Sequence, residues 1–543
     1  MGRVLQGCGL LVSLSACFSP VQGQMALGQA TDIAPVQSVP LQLNACRSAV
    51  TDSKWFHDSV GYEVFVRSFQ DSNGDGIGDL PGLIGRLDYL NDGQAGQGND
   101  LEVDLLWLMP ITDSPSYHGY DVRDYRNVLK AYGTLDDVDQ LMTLAHARGM
   151  HVVLDLVLNH ASAQHAFFID SAKGNGHKDW FVWQPSDPGW VQPFGTAKDW
   201  HKNADARYFF GVFSASMPDW NIRTPAVVNE LNDVGQFWLK HQVDGFRLDA
   251  VRYLVENGAG QLQQDQPETI AFWQQFVAGL QATRPTTLLV GEAWASNAIA
   301  AKYHASGSGL PMTFDFDSSA ALIATVQSGD PTNLQNATCL QEGLFPGGAA
   351  RGTFLTNHDM VRIGTQLAQT SGETTDLRLA AVLLMTLPGT PWIYYGEEIG
   401  MTNGHGTDDT DKRRPMQWDA STNSGFTSGT PWQPLNDDAA TVHVAGELAN
   451  AGSLLHLYQQ LIQLRRNYKA LRQGSTELIT LPTGLWGFTR TIAGQRLACV
   501  FNLTDADLNW PDAPGGVDLL TQAPRKVGNL SVPKRSYSIQ TVL

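Results

Sequence analysis

From Gly61 onward, short apolar runs alternate with longer amphipathic stretches. Short runs bounded by Gly, Pro, Asn and Asp read as strands, and the longer periodic stretches read as helices. The runs are Gly61–Phe69, Leu105–Ile111, His151–Asn159, Val243–Ala250, Thr286–Trp294, Met312–Ser319, Gly352–Asp359 and Pro391–Gly396. Strands alternating with helices predict a parallel sheet with helices outside it, and eight of them predict an α/β fold of the (β/α)8 TIM-barrel type. The irregular stretch Ala161 to Trp220, rich in Trp, Gly, Asp and Pro, is too long for a simple connection. It predicts a subdomain inserted after the third strand. A helical pattern near Leu454–Tyr468 ends the barrel. Beyond it, Thr476–Leu543 reads as short strands punctuated by Gly, Pro, Asn and Asp, a C-terminal β-sandwich. The expected domains are a catalytic barrel over 51–160 and 221–470, an inserted subdomain over 161–220 and a sandwich over 471–543.

The N-terminus has a different pattern. Arg3 precedes an apolar, small-residue stretch from Cys8 to Cys17, and residues 1–23 read as an export signal. The stretch is too short to span a membrane. Leu14-Ser15-Ala16-Cys17 resembles a bacterial lipobox, which would place a lipid anchor on Cys17. Val21-Gln22-Gly23 resembles a cleavage site for soluble secretion. Residues 24–50 follow as a tether. The chain is therefore expected to be exported: periplasmic, an outer-membrane lipoprotein, or secreted. Past the signal only Cys46, Cys339 and Cys499 remain. An odd number cannot all pair, so one bridge such as Cys46–Cys339, or three buried thiols, are the alternatives. No Cys/His spacing suggests zinc.

Composition narrows the partners. A chain of 543 residues is too long for one compact core. Its formal net charge of -18 excludes a nucleic-acid partner, which needs a basic surface, and suits a neutral substrate. The 15 Trp and 14 Tyr suit stacking on sugar rings, although most aromatics pack cores. Trp180, Trp183, Trp190 and Trp200 have both readings, as sugar subsites or as the core of the insertion. A monomer is expected.

Polar residues cluster at the C-terminal ends of the apolar runs: Asn159 and His160, Arg247 and Asp249, Glu292, His358 and Asp359. That end of such a barrel carries the active site, and several buried charges converging there are costly unless used or paired. Hydrolysis of a glycosidic bond needs two flanking carboxyl groups. Asp249 ends the fourth run, with Arg247 two residues earlier on the same face of the strand. A neighbouring guanidinium favours the ionised carboxylate that a nucleophile requires. Glu292 ends the fifth run, where other carboxylates should raise its pKa and keep it a proton donor. Asp359, ending the seventh, is a third carboxylate that can hold sugar hydroxyls.

These segments resemble the conserved regions of the α-amylase superfamily, glycoside hydrolase family 13. The matching segments are Asp155-Leu-Val-Leu-Asn-His160, Gly245-Phe-Arg-Leu-Asp249, Gly291-Glu292 with Trp294, Phe354-Leu-Thr-Asn-His-Asp359 and Met217-Pro-Asp-Trp-Asn221. The resemblance implies Asp249 as nucleophile, Glu292 as acid then base, and Asp359 as transition-state stabiliser. It implies sugar contacts from His160 and His358, a stacking platform at Tyr120 with His118 beside it, and Asp155 and Arg247 bracing the nucleophile.

Asp71-Ser-Asn-Gly-Asp-Gly-Ile-Gly-Asp79 carries oxygen ligands at alternate positions with glycines for tight turning, a pattern suited to Ca2+. The resemblance implies a calcium loop there, held by Asp71, Asn73, Asp75, the Ile77 carbonyl and Asp79. The other reading is a metal-free Asx-turn. A second calcium site of the family, between barrel and insertion, would use Asn159. Arg252-Tyr253, in place of the usual Lys-His, argues against it. Within the family the chain looks intermediate between neopullulanase and oligo-1,6-glucosidase types. Arg414-Pro-Met-Gln-Trp418 resembles the oligo-1,6-glucosidase and α-glucosidase branch, and the segment up to Leu254 resembles trehalose synthase. Tyr117-His118, lacking the acid of exo-acting members, resembles endo-amylases. The expected activity is α-1,4 cleavage in starch, maltodextrins or maltooligosaccharides. The alternatives are an exo-acting α-glucosidase, a trehalose synthase-like transglycosylase, and a catalytically inactive relative like the barrel-bearing transporter subunits.

Overall fold

The computed structural model describes residues 45–542 except positions 97, 341, 347, 348, 372, 373 and 407. The export signal, the Cys17 lipobox and residues 24–44 of the tether lie outside the described residues. Among the described residues, no helix is long and apolar enough to cross a membrane.

Eight parallel strands close into a barrel: Gly61–Val64, Leu105–Leu108, His151–Leu156, Gly245–Leu248, Leu288–Gly291, Met312–Phe314, Ala350–Phe354 and Thr390–Tyr394. Each lies within, or begins a few residues from, one of the eight predicted runs, in the same order. Successive side chains on a strand point to opposite faces. One phase, including Leu105, Trp107, Val153, Val290, Phe314 and Trp392, fills the barrel interior. The other, including Leu106, Val152, Leu154, Phe246 and Leu289, packs against the outer helices. Gly61 has no side chain because Trp392 lies where one would stand: a Cβ there would come within 2.4 Å of two of its ring carbons. The outer helices follow the same logic at a longer period. Pro225–Lys240 starts on Pro225 and buries Val227, Leu231, Val234 and Trp238, which lie three to four residues apart.

The insertion holds the helix Ala166–Ala172 and a three-stranded antiparallel sheet of Trp183–Gln184, Trp200–Lys202 and Tyr208–Phe210. Its tryptophans pack this small unit. Trp183 stacks on Phe168, Trp190 meets Trp200 edge-on, and Trp180 meets Phe167 edge-on.

The C-terminal unit pairs a four-stranded antiparallel sheet (Ser475–Leu478, Leu485–Ile492, Gln495–Asn502, Ser536–Thr541) with a two-stranded one (Leu508–Ala513, Gly528–Val532). Leu485, Ala498 and Val500 face Trp510 and Val532 between the sheets. The opposite phase, Trp486, Phe488, Cys499 and Phe501, joins the main core. Near the other end of the described chain, Cys46 and Cys339 form a disulfide across a sequence separation of 293, and Cys499 is a buried thiol. The bridging alternative therefore holds over three free thiols.

Candidate active site

Strand register gathers the polar residues. Asp155 on the third strand pairs directly with Arg247 on the fourth, and Arg247 with Val290 on the fifth. All three are on the interior phase. Two residues beyond Arg247 and Val290 the same phase reaches Asp249 and Glu292. The side chains of Asp155, Arg247, Asp249 and Glu292 thus converge at the C-terminal mouth of the barrel.

Arg247, 1% exposed, is the hub. Its Nη1 donates to both oxygens of Asp155 at 3.0 Å and to Asp249 Oδ1 at 2.7 Å. Its Nη2 lies 3.0 Å from Glu292 Oε1. The other oxygen of Glu292 accepts the Ala250 main-chain N–H at 2.9 Å. Ala250 adopts φ +50°, a left-handed conformation unusual for a residue with a side chain. The turn after Asp249 therefore aims a backbone donor at Glu292. Burial, then the charges of Asp249 and Asp359, push the Glu292 carboxyl up to about 8 against the opposing pull of Arg247. The expected rise is present, with desolvation ahead of like charge as its cause. Asp155 is likewise raised by burial, to about 6, with Arg247 opposing.

The seventh strand leads to His358 and Asp359. His358 is fully buried between two carboxylates, with Nδ1 2.5 Å from Glu63 Oε1 and Nε2 3.1 Å from Asp359 Oδ2. Burial lowers its pKa, but Asp359 and Glu63 outweigh this and lift it to about 9, so His358 is a cation at neutral pH. Asp359 is drawn the other way. Burial raises it, but His358, Arg413 and Arg247 hold it well below the usual carboxylate range. Arg413 donates from Nη2 to Asp359 Oδ1 at 2.8 Å and from Nε to the His358 carbonyl at 3.0 Å.

Tyr120 bridges the two halves. Its hydroxyl donates to Asp155 Oδ2 at 3.0 Å and accepts from His358 Nε2 at 2.7 Å. Its ring lies nearly parallel to the rings of His118 and His358. His118 accepts the Tyr120 main-chain N–H on Nδ1, and burial lowers its pKa to about 4. His160, expected to face a sugar hydroxyl, places Nε2 3.1 Å from the Tyr120 carbonyl and Nδ1 3.3 Å from Asn159 Nδ2. A sugar hydroxyl would compete with the Tyr120 carbonyl for it.

Sequence reading missed three members of this network. Glu63 is the lone acid in the apolar first run. Trp107 donates from Nε1 to Asp155 Oδ2 at 3.3 Å and underlies the Arg247 guanidinium. Arg413 sits one residue before the singled-out Arg414-Pro-Met-Gln-Trp418. A charge inside a run otherwise fit for a buried strand was the available signal for Glu63. Trp107 and Arg413 carried none.

The 71–79 loop follows the first strand and its short helix. Asp71 Oδ1 accepts the main-chain N–H of Asn73 and Gly74, and Oδ2 accepts that of Gly76 at 2.8 Å and the Thr427 hydroxyl. Asp79 Oδ2 accepts from Ser72 and from the Asn73 amide, while Oδ1 caps the helix Leu80–Gly85 through Gly82. Asn73 and Asp75 each close an Asx-turn. Asp71 and Asp79 are both buried, and among the described residues neither pairs with a basic side chain. Burial, with the Asp71 charge adding, raises Asp79, while hydrogen bonds outweigh burial and lower Asp71. Among the described residues, no three His, Cys, Asp or Glu side chains gather as a metal-binding group. A cation in this loop would need amide and main-chain oxygens beside the carboxylates.

A second place has unmet oxygens. Where the insertion returns to the barrel, Asp219 accepts from Asn159 Nδ2 at 3.1 Å and from the Val212 N–H at 3.2 Å. Nearby Asp199 is fully buried, and among the described residues neither of its oxygens meets a hydrogen-bond donor; the same is true of Asn159 Oδ1. Burial raises Asp199 to about 6.

Comparison with known proteins agrees with the fold. The family model for the alpha-amylase catalytic domain matches residues 63–474. Alpha-amylase 3 of Dictyoglomus thermophilum is 33% identical over 455 residues, covering 83% of this chain and 85% of its own. An oligo-1,6-glucosidase of Halalkalibacterium halodurans is 31% identical over 521 residues, covering 83% and 90%. The crystal structure of an alpha-amylase from H. orenii superposes with a TM-score of 0.78 at 33% identity, covering 89% of this chain and 99% of its own.

Proposed function

The chain belongs to the α-amylase family, glycoside hydrolase family 13, and from that premise we propose that it cleaves α-1,4-glucosidic bonds in starch, maltodextrins or maltooligosaccharides with retention of configuration. The observation that carries this reading is the shared guanidinium. Arg247 pairs at once with Asp249 and Glu292, yet burial holds the proton on Glu292. Asp249 attacks the anomeric carbon while Glu292 gives its proton to the departing glycosidic oxygen, leaving a glycosyl ester on Asp249. Glu292, now ionised, takes a proton from water, whose oxygen displaces Asp249 and restores both groups. Asp359, held ionised by His358 and Arg413, accepts hydrogen bonds from hydroxyls of the sugar in the cleavage subsite, and Tyr120 offers its ring as platform.

Ca2+ is part of the reading as a structural ion. The side chains of Asp71, Asn73, Asp75 and Asp79 and the Ile77 carbonyl would hold it in the loop, where the buried carboxylates lack a cationic partner among the described residues. Asp199 and Asn159, whose oxygens are unmet, would be the ligands for a second cation between barrel and insertion, the site that Arg252-Tyr253 argues against. Such an ion supplies charge neutralisation and a cross-link between segments. The Cys46–Cys339 bridge supports an oxidising compartment, in keeping with export.

A second reading, an exo-acting α-glucosidase, is favoured by one observation. Arg413 stands over the Tyr117 ring and pairs with Asp409, so an acid from another loop approaches the side where position 117 lacks one. A time course of products from amylose, maltose, isomaltose and pullulan tests both. Mixed short maltooligosaccharides, with iodine staining lost early, are expected. Glucose alone from the first minutes, with staining retained, would transfer the assignment to the second reading.

A further inference from the structure

On the barrel face opposite the carboxylates, a small cavity is lined by Arg47, Arg351, Arg472 and Arg490 with His57 and Thr390. Ala350 and Thr390 begin the seventh and eighth strands, so the cavity lies at the N-terminal end of the barrel. The N-terminal segment closes it through Arg47, which bridges to Thr476, and the C-terminal sheet closes it through Arg490 on the strand Leu485–Ile492. It has room for an occupant about the size of one water molecule.

Among the described residues, Arg490 and its neighbour Arg465 are the arginines here that no carboxylate pairs with, although Asp58 and Asp104 act on Arg465 through space. Arg351 is matched by Asp315 at 3.0 Å. Among the described residues Arg472 has only Asp58, at 3.6 Å. Arg490, 1% exposed, spends Nη1 on the Thr386 carbonyl at 2.9 Å and Nη2 on the Gly474 carbonyl at 3.2 Å. Arg465 behind it is fully buried and bonds the carbonyls of Met385, Leu387 and Gly389. Among the described residues neither Arg490 nor Arg465 pairs with a carboxylate, and the Nε atoms of Arg472 and Arg490 meet no acceptor. Burial, then the fields of Arg465 and Arg47, pull Arg490 down to about 9. Buried cations without a counter-charge are costly, and carbonyl dipoles only partly offset the lost hydration.

We propose that this cavity binds one small monovalent anion of chloride size, held by Arg490 and Arg472, which neutralises the arginine cluster and ties the N-terminal segment, the barrel floor and the C-terminal sheet together. The cavity lies across the barrel from the carboxylates, so the anion acts on stability rather than on turnover.

Halide-free crystals of the full chain, soaked in sodium bromide, provide the direct test. Anomalous scattering should show bromide in the cavity of the parent and none in Arg490→Met. In solution, the parent should unfold about 2 °C or more higher in sodium chloride than in sodium gluconate at equal ionic strength, and Arg490→Met should lose this difference. Rates on maltodextrin well below the unfolding temperature should be equal in the two salts. An empty cavity after soaking, an equal salt effect in parent and variant, or stabilisation by phosphate but not chloride overturns the proposal. Should Arg490→Met fail to fold, Arg472→Gln, at a partly exposed position, carries the same comparison.

Discussion

Replacing Glu292 by Gln should abolish turnover and, at the same time, change how stability depends on pH. The folded carboxyl titrates at about 8 against an ordinary value of 4.5, chiefly because it is buried. Between these limits the folded protein keeps a proton that the unfolded chain has released. A raised carboxyl pKa therefore means that stability is lost as pH climbs through this window. The slope approaches about 1.4 kcal/mol per pH unit for a fully resolved group. Glu292 shares its field with Arg247 and Asp249, so a total on the order of 3 kcal/mol is the reasonable expectation. The Glu292→Gln variant would have no such slope. It would bear a constant cost of about 1–3 kcal/mol, because the single acceptor oxygen of the amide must serve two donors, the Ala250 N–H and Arg247 Nη2. The variant should therefore be the less stable protein near pH 4.5 and draw level with or pass the parent near pH 8. Urea unfolding of both proteins across this range, at fixed ionic strength, measures the difference, and shared titrating groups cancel. Turnover of maltooligosaccharides should fall by about 10²–10⁴, and by less on aryl α-glucosides whose acidic phenol leaves without a proton. A stability difference that stays flat from pH 4.5 to 8, or turnover within tenfold of the parent, would refute the reasoning.

Asp249→Asn should lower turnover by at least about 10³ while leaving the unfolding midpoint and maltooligosaccharide binding near those of the parent. With the parent enzyme, proton NMR should show the α-anomer of the product first; initial β-anomer would exclude the glycosyl ester. Chelation should lower the unfolding temperature and added Ca2+ should restore it, with the response reduced in Asp75→Ala and separately in Asp199→Asn. Calcium content measured on the extensively chelated protein checks that the ion has left. A metal-free protein with an unchanged unfolding temperature would remove both proposed sites.

Much of this architecture was legible in the chain because it rests on local repetition. A buried strand must be apolar over a short run, and a surface helix must be apolar on one stripe, so the eight strands and their order follow from periodicity. Where polar residues interrupt those runs at their ends, the barrel geometry assigns them a common face. Arg247, Asp249, Glu292, His358 and Asp359 were readable for that reason, and Asp155 through the family resemblance of its segment. The two-residue spacing of Arg247 and Asp249 even foretold their ion pair.

Other features depend on which distant segments meet. Glu63 lies on the first strand and His358 after the seventh, yet ring closure sets them 2.5 Å apart and makes the histidine a cation. Arg413 reaches Asp359 from a loop with no periodic constraint. The sequence left Cys46 with a disulfide and a free thiol as equal readings, and only the folded chain brought it against Cys339. Within its own strand, Arg490 looks like an ordinary surface arginine; the packing of that strand beneath the barrel, beside Arg465 and Arg472, buries it among like charges. Side-chain period is a property of neighbours in sequence and survives in the unfolded chain, so the sequence alone determined the strands, their order and the residues at their ends. Desolvation and charge pairing between segments hundreds of residues apart exist only once the barrel has closed, so the tertiary structure alone decided which carboxyl keeps its proton, which histidine is charged, and where buried charge is left unmatched.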